Sequence, residues 1–597
     1  MTGYPKFMVQ NILLSTNSLA NEKVPSEMYL RGAPAGSFLA MTPGVRVDFD
    51  TYFNSFSLEK WTNATSLSRL TLALELAGCV TVELTGLDWH DGCLKKTSLA
   101  VETFYAPERE EVLLDYPAGV HTLVAFSLFP HDGAVLYNGR YFAEAGAGAR
   151  EVDLALVTCT YKKEDFVKRN VDLLLGVEGL SVFVVDNGRT LDSVLTPSGN
   201  LHIYPNRNAG GSGGFTRGIL EVLSSGRAYT HILLMDDDVS VNAESIQRLK
   251  SLLSLLREDM ADAVVGGAML RRDRPSIQEE NGAWIVADAK EGVRQISEGR
   301  FTDLRSLKAI VKNEGAENAP ATGGRRYQPW YFCCFPVSAI GTNNLPLPLF
   351  IRGDDVEYSL RNFKKFINMN GLCVWHESFE KKSGSMLHYY VNRNLYIIMA
   401  FSMALSRKNV VLRMLINLRN QLYRYDYNSA DAILDAFSDF LAGPRHLART
   451  PPESTLKRQS GRNDRMTPCR AEPARDEKAA SVRNKRDFPP GILKRLVFRL
   501  TLGGHWVPSA FFTLESAASE PYGPWRCFLK KRLRVTNYDG RREWIREIDR
   551  WRCLRIAARC FFLRVYSIFR YEDLRQEWKK NGPRLTREKF WRRILGI

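Results

Sequence analysis

Four short apolar runs alternate with helix-like segments between residues 153 and 235, and this alternation constrains the fold more than any other feature. The runs are DLALVT (153–158), LSVFVV (180–185), LHIY (201–204) and ILLM (232–235). Residues 164–175 and 218–223 have the apolar spacing of helices. Strands that alternate with helices form a mostly parallel sheet covered on both faces, and ligands bind beyond the carboxyl ends of its strands. The sequence therefore predicts an α/β domain with its site at that edge.

Three adjacent carboxylates, Asp236, Asp237 and Asp238, follow the fourth run. Because side chains alternate along an extended chain, Asp236 and Asp238 can face one cleft while Asp237 points away. Two carboxylates on one face are hard-oxygen ligands of the kind that hold Mg²⁺ or Mn²⁺ together with a nucleotide diphosphate. Acidic triplets also occur in exposed turns, but the position at the end of a buried strand favours a metal site.

A glycine-rich segment, NRNAGGSGGFTR (206–217), lies one helix before the acidic triplet. Four glycines in five positions allow a ligand to approach the backbone and lead into a helix N-terminus. The segment matches neither the lysine-containing phosphate loop nor the G-x-G-x-x-G pattern, so alone it is a weak signal. Its combination with the triplet indicates nucleotide binding more specifically.

A second carboxylate pair, Asp354 and Asp355, precedes a short helix. A carboxylate in a water-poor cleft can take the proton from an attacking hydroxyl, although acidic side chains also cap helix N-termini. His376 closes an apolar run about twenty residues later and is a candidate metal ligand, with satisfied core packing as the alternative. Trp330 and Tyr331 offer flat faces for a sugar, and core packing is the strong competing explanation.

The chain of 597 residues is too long for one hydrophobic core and is predicted to be a multidomain α/β protein. Residues 1–150 contain short β-rich runs separated by turn residues, which predicts an N-terminal β-sandwich. Residues 151–400 form the α/β domain. The rest is predicted to be a helical extension (401–442), a flexible basic linker (443–490) and a basic helical domain (491–597).

Seven motifs in order support a family resemblance. They are TCTYKK (158–163), VVDNG (184–188), NRNAGGSGGFTRG (206–218), MDDDV (235–239), QPWYFCCF (328–335), FIRGDDVEYSLR (350–361) and VWHES (374–378). Together they resemble the family 2 glycosyltransferases, and more narrowly the bacterial UDP-galactofuranose-dependent galactofuranosyltransferases of galactan synthesis. Those enzymes join an N-terminal β-sandwich to a GT-A catalytic domain with a Rossmann-like mixed sheet and a helical C-terminal region, the same order as predicted here.

The resemblance implies a role for each matching residue. The uridine nucleotide would be contacted by Thr158, Asp186, Asn208, Asp236 and Asp237. Asp236, Asp238 and His376 would hold Mn²⁺ or Mg²⁺. Asp355 would be the catalytic base, with Asp354 beside it orienting the acceptor. Glu280, Trp330, Tyr331 and His388 would line the acceptor or sugar side.

The implied reaction is inverting, metal-dependent transfer of a sugar, expected to be galactofuranose from UDP-galactofuranose, to a hydroxyl of a glycan or lipid-linked glycan in cell-surface polysaccharide synthesis. One alternative is a family 2 transferase with a rhamnosyl or hexopyranosyl donor. Another is a non-catalytic scaffold that binds carbohydrate or a membrane surface.

The excess positive charge lies at the C-terminal end. Residues 441–597 contain 37 Lys+Arg against 16 Asp+Glu, whereas residues 1–440 contain 45 against 50. This asymmetry favours an anionic membrane surface as partner, with a solvated helical tail as the alternative. We expect a cytoplasmic protein held at the inner face of the plasma membrane, since no secretory signal or spanning segment is evident. No nucleic-acid-binding module is recognisable, and a homo-oligomer is left open.

Overall fold

The structure is a computed structural model that describes residues 6–15, 24–34, 36–146, 149–315, 323–379, 384–469, 491–538 and 540–597. It confirms a mixed α/β protein with several sheets. Residues 470–490 of the predicted linker lie outside the described residues.

The N-terminal region is built on one strongly bent sheet. Its elements are β1 (Lys6–Asn11), β2 (Leu39–Ala40), β3 (Val47–Asp48), α1 (Leu58–Ala64), β4 (Leu67–His90), β5 (Cys93–Asp115), β6 (Leu123–Pro130) and β7 (Val135–Ala145). One edge of β4 pairs with β5 along nearly its whole length, and the other edge pairs with β7 and then with β6. The described strands of this region therefore form a single hydrogen-bonded sheet.

The prediction of short strands is wrong for β4 and β5, which are 24 and 23 residues long. Some of the glycine and polar residues that suggested turns lie at irregularities within the long strands. The β4 register shifts between Leu76 and Gly78, and Gly78 has φ +96°. A Cβ atom at Gly78 would lie 2.7 Å from the Cα atom of Ala134, so glycine is required where the strand bends.

The central region contains a ten-stranded mixed sheet and a small three-stranded sheet among the described residues. Its elements are β8 (Leu154–Thr160), α2 (Glu164–Leu174), β9 (Leu180–Asp186), β10 (Leu201–Pro205), α3 (Gly210–Ser224), β11 (His231–Leu234), β12 (Ser240–Val241), α4 (Ala243–Leu255), β13 (Val264–Arg271), β14 (Ile277–Glu280), β15 (Ala283–Asp288), β16 (Gly292–Ser297), β17 (Thr302–Asp303), α5 (Leu307–Gly315), β18 (Arg325–Tyr327), β19 (Cys333–Pro336), α6 (Asp354–Asn362) and β20 (Phe366–His376).

The four strands predicted from the apolar runs are present and parallel, in the spatial order β10-β9-β8-β11. Beyond β11 the sheet continues with β19, which is antiparallel to both β11 and β13, while β20 runs parallel to β13. One core cluster joins this sheet to the N-terminal region and includes Trp61, Leu154 and Ile246. The two regions are therefore packed together through a shared hydrophobic core.

The C-terminal region begins with helices. Its elements are α7 (Ser385–Ile397), α8 (Arg407–Leu422), α9 (Tyr427–Ala442), α10 (Pro444–Arg449), α11 (Pro452–Ser460), β21 (Thr467–Pro468), α12 (Ile492–Leu500), β22 (Thr513–Ser519), β23 (Lys530–Thr536), β24 (Arg542–Glu547), α13 (Arg550–Leu585) and α14 (Glu588–Leu595). Strands β21 to β24 form a four-stranded sheet. None of the helices in the described ranges combines the length and the hydrophobicity needed to cross a bilayer.

Two predictions about this region need correction. Residues 444–460, placed in a flexible linker, form α10 and α11, and Thr455 and Gln459 are buried. The last stretch, predicted to be helical, also contains the sheet of β22 to β24. Low apolar content hid the first feature, because α10 and α11 contain few large apolar side chains, of which Leu447 and Leu456 pack against the core. The second was hidden because arginine-rich strands with one buried face lack a long apolar run.

Candidate active site

The acidic triplet lies at the carboxyl edge of the parallel strands, in the turn between β11 and β12. Strand β12 pairs with β20 through Ser240 and Trp375, which places the end of β20 beside the triplet. The carboxylate oxygens of Asp236 and Asp238 and a ring nitrogen of His376 consequently lie within 4.8 Å of one another. The pairing of β12 with β20 thus brings the triplet close to His376, which is about 140 residues away in the sequence.

The three side chains fit a divalent cation that prefers oxygen and imidazole donors. His376 Nε2 lies 2.9 Å from Asp238 Oδ1, and His376 Nδ1 lies 2.5 Å from the carbonyl oxygen of Glu377. A proton on Nδ1 would be donated to that carbonyl, leaving the Nε2 lone pair directed at the carboxylates. Two half-buried carboxylates and one oriented imidazole match the ligand chemistry of Mn²⁺ or Mg²⁺.

Arg272 holds the two ligand-bearing segments together and was missed by the sequence analysis. Its backbone N–H donates to the carbonyl oxygen of His376 at 2.9 Å, and its guanidinium donates to the carbonyl oxygen of Asp238. The guanidinium also lies over the ring of Phe166, 4.7 Å from its centroid. Arg272 directly follows β13, the strand that pairs with β20, and the sequence does not show that pairing.

Asp237 interacts with both of its acidic neighbours and with Thr160. Burial raises its pKa to about 6, the charge of Asp238 adds to the shift, and Thr160 opposes it by hydrogen bonding. Thr160 is the last residue of β8, so Asp237 lies close to the end of that strand. The alternation predicted for the triplet assumed an extended chain, whereas β11 ends at Leu234 and Asp237 and Asp238 lie in a turn.

The residues implied in nucleotide binding lie at the ends of β8, β9 and β10. The buried Thr158 hydroxyl has no hydrogen-bond partner among the described residues, which leaves it available to a ligand. Asp186 is buried, and its carboxylate accepts from the N–H groups of Gly188, Thr190 and Leu191 at 2.9, 2.6 and 2.8 Å. Asp186 therefore stabilises the turn after β9. These three hydrogen bonds use most of the acceptor capacity of its carboxylate.

Asn208 precedes α3, where its Oδ1 accepts from Gly210 N at 3.0 Å. Two further asparagines, not predicted as site residues, brace the same edge. Asn206 Nδ2 donates to Asn187 Oδ1 at 2.9 Å, and Asn187 Nδ2 donates to the Gly210 carbonyl at 3.2 Å. A frame of amide side chains thus joins the end of β9 to the start of α3.

The glycine-rich segment is the first half of α3, whereas the sequence predicted a loop followed by a helix at residue 218. Its glycines allow the helix to lie directly on β8. A Cβ atom would be 2.5 Å from Cys159 Cβ at Gly214, and 2.2 Å from Val157 Cγ1 at Gly218. Close packing of helix and strand, as well as ligand approach, therefore explains the glycines.

The second carboxylate pair begins α6 directly after a strained loop. Phe350 and Arg352 have φ +73° and +67°, and Gly353 has φ +80°. Non-glycine residues rarely adopt such values, and clusters of them occur at functional sites. The loop is tied to α3, because the Phe350 carbonyl accepts from Ser212 N at 3.1 Å and Phe350 N donates to Ser212 Oγ at 2.8 Å.

Helix α7 holds the same loop from the other side. Asn394 Nδ2 donates to the carbonyl oxygens of Leu349, Ile351 and Arg352 at 3.1, 2.9 and 2.6 Å. Asn394 is fully buried. The loop conformation is thereby fixed by side chains from two helices, and neither contact was visible in the sequence.

Asp354 and Asp355 share the site with the metal-ligand cluster. Burial raises the pKa of both carboxyl groups, and the charge of Asp236 raises both further. The nearby Arg352 guanidinium opposes the shift at Asp355. Asp236 therefore lies close enough to both carboxyl groups for its charge to act on them.

Glu280 and Tyr331 lie next to Asp355. Burial raises the pKa of Glu280 to about 7, against a 2.7 Å hydrogen bond from Ser297 Oγ, and the charge of Asp355 adds to the rise. Burial also raises the pKa of the Tyr331 hydroxyl, and Glu280 and Asp355 contribute. Glu280 and Tyr331 therefore both lie within range of the charge of Asp355.

Trp330 and His388 have different surroundings. Trp330 is buried with its ring packed edge to face against Phe215 and Tyr358, at centroid distances of 5.2 and 5.9 Å. Core packing accounts for this position. The charged neighbours of His388 are Asp426, Arg424 and Arg546 in the C-terminal region.

Comparison with known proteins gives two related sequences. The chain is 25% identical over 452 residues to "Galactofuranosyltransferase GlfT2" of Mycolicibacterium smegmatis, covering 70% of this chain and 67% of that protein. It is 25% identical over 456 residues to the protein of the same name from Mycobacterium tuberculosis, covering 70% of this chain and 68% of that protein. No protein-family model matches the chain.

Comparison with solved structures carries no argument about the fold. A Clostridium thermocellum endo-1,4-beta-D-xylanase 10B module pair aligns with a TM-score of 0.16 and 8% identity over 30% of this chain and 38% of that one. A family two carbohydrate esterase from Cellvibrio japonicus aligns with a TM-score of 0.11 and 11% identity over 44% of this chain and 86% of that one.

Proposed function

We propose that this protein is an inverting, UDP-sugar-dependent glycosyltransferase that transfers galactofuranose from UDP-galactofuranose to a hydroxyl of a glycan or lipid-linked glycan. The observation that carries the proposal is the grouping of Asp236, Asp238 and His376 beside Asp355 at the carboxyl edge of a parallel sheet. The two similar proteins are named galactofuranosyltransferases, which supports this donor sugar and a role in galactan synthesis. The mixed sheet, in which four parallel strands are followed by the antiparallel β19, is compatible with a GT-A fold of family 2.

Asp236, Asp238 and His376 would hold Mn²⁺ or Mg²⁺. When bound, the cation supplies positive charge that offsets the charge developing on the departing diphosphate. The Thr158 hydroxyl and the asparagine frame would position the nucleotide at the ends of β8 and β9. Asp237 would contact the same nucleotide and limit its orientation.

Asp355 would act as the base. In the displacement, the acceptor oxygen forms a bond to the anomeric carbon, the bond from that carbon to the diphosphate oxygen breaks, and the hydroxyl proton passes to Asp355. Attack opposite the leaving group inverts the anomeric configuration. The fixed loop at residues 349–353 would keep Asp355 in place for this step.

Substitution of the base tests the proposal directly. Asp355→Asn should reduce transfer by about 10²–10⁴-fold, the usual contribution of general base catalysis, while UDP affinity measured by calorimetry stays nearly unchanged. Normal turnover by the variant would remove Asp355 from this role.

Loss of the metal ligands should have the opposite effect, because it should weaken the binding of UDP. The double variant Asp236→Ala/Asp238→Ala should lose metal-dependent UDP binding, whereas Asp172→Asn, an exposed aspartate on α2, should bind UDP like the natural protein. Unchanged UDP affinity in the double variant would reject the metal assignment.

A panel of nucleotide sugars tests the donor. UDP-galactofuranose should give the highest rate of UDP release in the presence of acceptor, and chelation should abolish it. A preference for a rhamnosyl or hexopyranosyl donor would keep the enzyme class and change the sugar. Failure of every donor with intact carbohydrate binding would favour the non-catalytic scaffold.

An anionic membrane surface is the proposed partner of the C-terminal region, at the inner face of the plasma membrane. Helix α12 exposes Ile492, Leu493 and Leu500 at 87, 73 and 73%, with Lys494 on the same exposed helix. Helix α13 exposes Trp551 and Phe569 at 82 and 77%. Exposed apolar side chains mixed with basic ones are typical of helices that lie at a lipid interface.

A further inference from the structure

A polar cavity of about 420 Å³ lies at the N-terminus of α7, outside the cluster of catalytic carboxylates. Its walls come from the first turn of α7, the corner between α8 and α9, residues 463–466, the loop 520–522 and strand β24. The volume is within the range of about 300–1,000 Å³ that small-molecule sites occupy. The C-terminal sheet, which has no assigned role, therefore closes a ligand-sized space.

Several side chains that line this cavity have a polar group with no hydrogen-bond partner among the described residues. Gln421 is 6% exposed, and neither its side-chain amide nor the imidazole of His388 has a described partner. The Arg424 guanidinium forms no ion pair in the described part of the chain, and its Nε is unsatisfied. Asn463 Oδ1 accepts from Ser385 Oγ at 3.0 Å, while its amide nitrogen has no described acceptor. Gln421 is buried, His388 and Arg424 are half-buried and Asn463 is exposed, so a polar ligand that enters the cavity can reach their unpaired groups.

The balance of charge excludes a simple anion site. Three arginines and three carboxylates line the cavity, namely Arg424, Arg542, Arg546, Asp426, Asp464 and Glu520. Arg546 is already neutralised by Asp426 at 2.8 Å and by Asp464 at 3.5 Å. A neutral ligand rich in hydroxyl groups can use such a mixture of donors and acceptors, whereas a phosphate would meet repulsion from the carboxylates.

Two aromatic rings, Tyr522 and Trp544, complete the lining. Arg546 Nη1 donates to the Tyr522 hydroxyl at 2.6 Å, which fixes the ring in the wall. Aromatic rings bordered by planar polar groups can contact the apolar face of a sugar while the polar groups bind its hydroxyls.

The cavity and the catalytic loop are attached to opposite ends of one helix. Asn394 on α7 binds the carbonyls of the loop that precedes Asp354, and His388 on α7 lines the cavity. At 1.5 Å per residue the six positions between them span about 9 Å along the helix axis. Helix α7 therefore connects a wall of the cavity to the loop that precedes Asp354 and Asp355.

We propose that this cavity binds a segment of the carbohydrate acceptor some sugar residues away from the reacting hydroxyl. The proposal rests on the proposed function for the identity of the ligand as an acceptor glycan. Gln421, Arg424 and Asn463 provide the hydrogen bonds, and Tyr522 and Trp544 provide the apolar contact. The C-terminal sheet thereby selects acceptors long enough to reach it.

Two experiments on the full-length protein test this assignment. Saturation-transfer NMR without nucleotide measures binding of galactofuranose oligosaccharides of increasing length. Transfer kinetics with UDP-galactofuranose measure the use of the same oligosaccharides as acceptors. Gln421→Leu and Arg424→Met should each raise KM for a tetrasaccharide acceptor at least tenfold, leaving kcat and the affinity for UDP unchanged. The KM for a disaccharide should change little. Arg419→Met, an exposed arginine on α8 outside the cavity, is the matched control and should behave like the natural protein.

The outcomes separate the two proposals. If the natural protein transfers galactofuranose and both folded cavity variants bind the tetrasaccharide as tightly as it does, the cavity assignment is overturned and the proposed function stands. Pyrophosphate binding that depends on Arg424, with no oligosaccharide binding, also overturns it. Absence of any transfer from UDP-galactofuranose rejects the proposed function, while oligosaccharide binding lost in Gln421→Leu still supports a carbohydrate site here.

Discussion

Burial raises the pKa of Asp355, and this shift fixes the direction in which activity responds to pH. Asp355 accepts a proton only when ionised, so a raised pKa means that the active form is lost earlier as the pH falls. An exposed aspartate has a pKa of about 3.9. We therefore expect kcat/KM to decline between about pH 7 and pH 5. A profile of kcat/KM against pH at saturating metal measures this limb, and a flat profile down to pH 5 would contradict it.

At the level of single residues, the sequence identified side chains whose type alone carries the chemistry. Asp236, Asp238 and His376 were found because carboxylates and imidazoles at strand ends suit a metal, and the structure brings them together. Arg272 and Asn394 were not found. Both act by donating to backbone carbonyls of residues distant in sequence, and no local pattern marks such a contact.

The loop at residues 349–353 is the element on which the position of the base depends. Asn394→Leu keeps the approximate size of the side chain and removes the donor to three carbonyls. Leaving buried acceptors unpaired costs about 1–3 kcal/mol, and the loop can then leave its left-handed conformation. We expect kcat to fall about tenfold or more for a shift of that free energy, with UDP affinity unchanged. Asn394→Asp, which also lacks the donor, should show the same defect in kcat, and full activity of both variants would contradict this role.

The contact of α3 with β8 is tight enough to be tested by a pair of substitutions. Gly218→Ala should lower the free energy of unfolding by about 1–3 kcal/mol, the usual cost of overpacking, because the new methyl group meets Val157. In the double variant Gly218→Ala/Val157→Ala the clash is removed, so the two effects should not add. Thermal melting of the single and double variants measures the coupling, and strict additivity would show that the helix can shift away.

At the level of elements, burial decided what the sequence could predict. Strands β8, β9 and β11 are buried along nearly their whole length and appear as continuous apolar runs, so they were identified within a few residues. Strand β5 is largely exposed, and its paired length depends on β4. Helices α10 and α11 are short and polar, and their formation depends on packing against the rest of the C-terminal region, which a local pattern does not report.

For the whole molecule, the basic C-terminal region is an integral part of the fold. Trp591 Nε1 donates to the Pro346 carbonyl at 2.8 Å, and Glu588 N donates to the Thr342 carbonyl at 2.7 Å. Trp591 also lies 3.6 Å from the position that a Cβ atom would take at Gly213 on α3. The end of the chain therefore supports both α3 and the segment that leads to the catalytic loop. The net charge predicted a basic surface but could not predict this return to the central region.

The same region keeps an apolar face that none of the described residues covers. Along α13, Cys553, Ile556, Cys560 and Tyr571 are buried on one face. The opposite face exposes Trp551, Leu554, Phe561, Phe562, Val565, Ile568 and Phe569. Arg555 and Arg564 flank this exposed face. Large exposed apolar patches mark interaction sites, and the arginines favour an anionic lipid surface as the occupant.

Vesicle binding tests this face. We expect Phe561→Ser/Phe562→Ser to reduce cosedimentation with vesicles containing anionic phosphatidylglycerol at least tenfold, since each apolar side chain contributes about 1.5–3 kcal/mol when buried. Binding should weaken with salt and with neutral phosphatidylcholine vesicles, because the arginines contribute electrostatic attraction. The matched control Val101→Ser/Tyr105→Ser removes two exposed apolar side chains from β5, 61 and 74% exposed, and should bind like the natural protein. A concentration-dependent dimer that Phe561→Ser/Phe562→Ser dissociates, without vesicle binding by either form, would instead assign the face to contact between two copies of the chain.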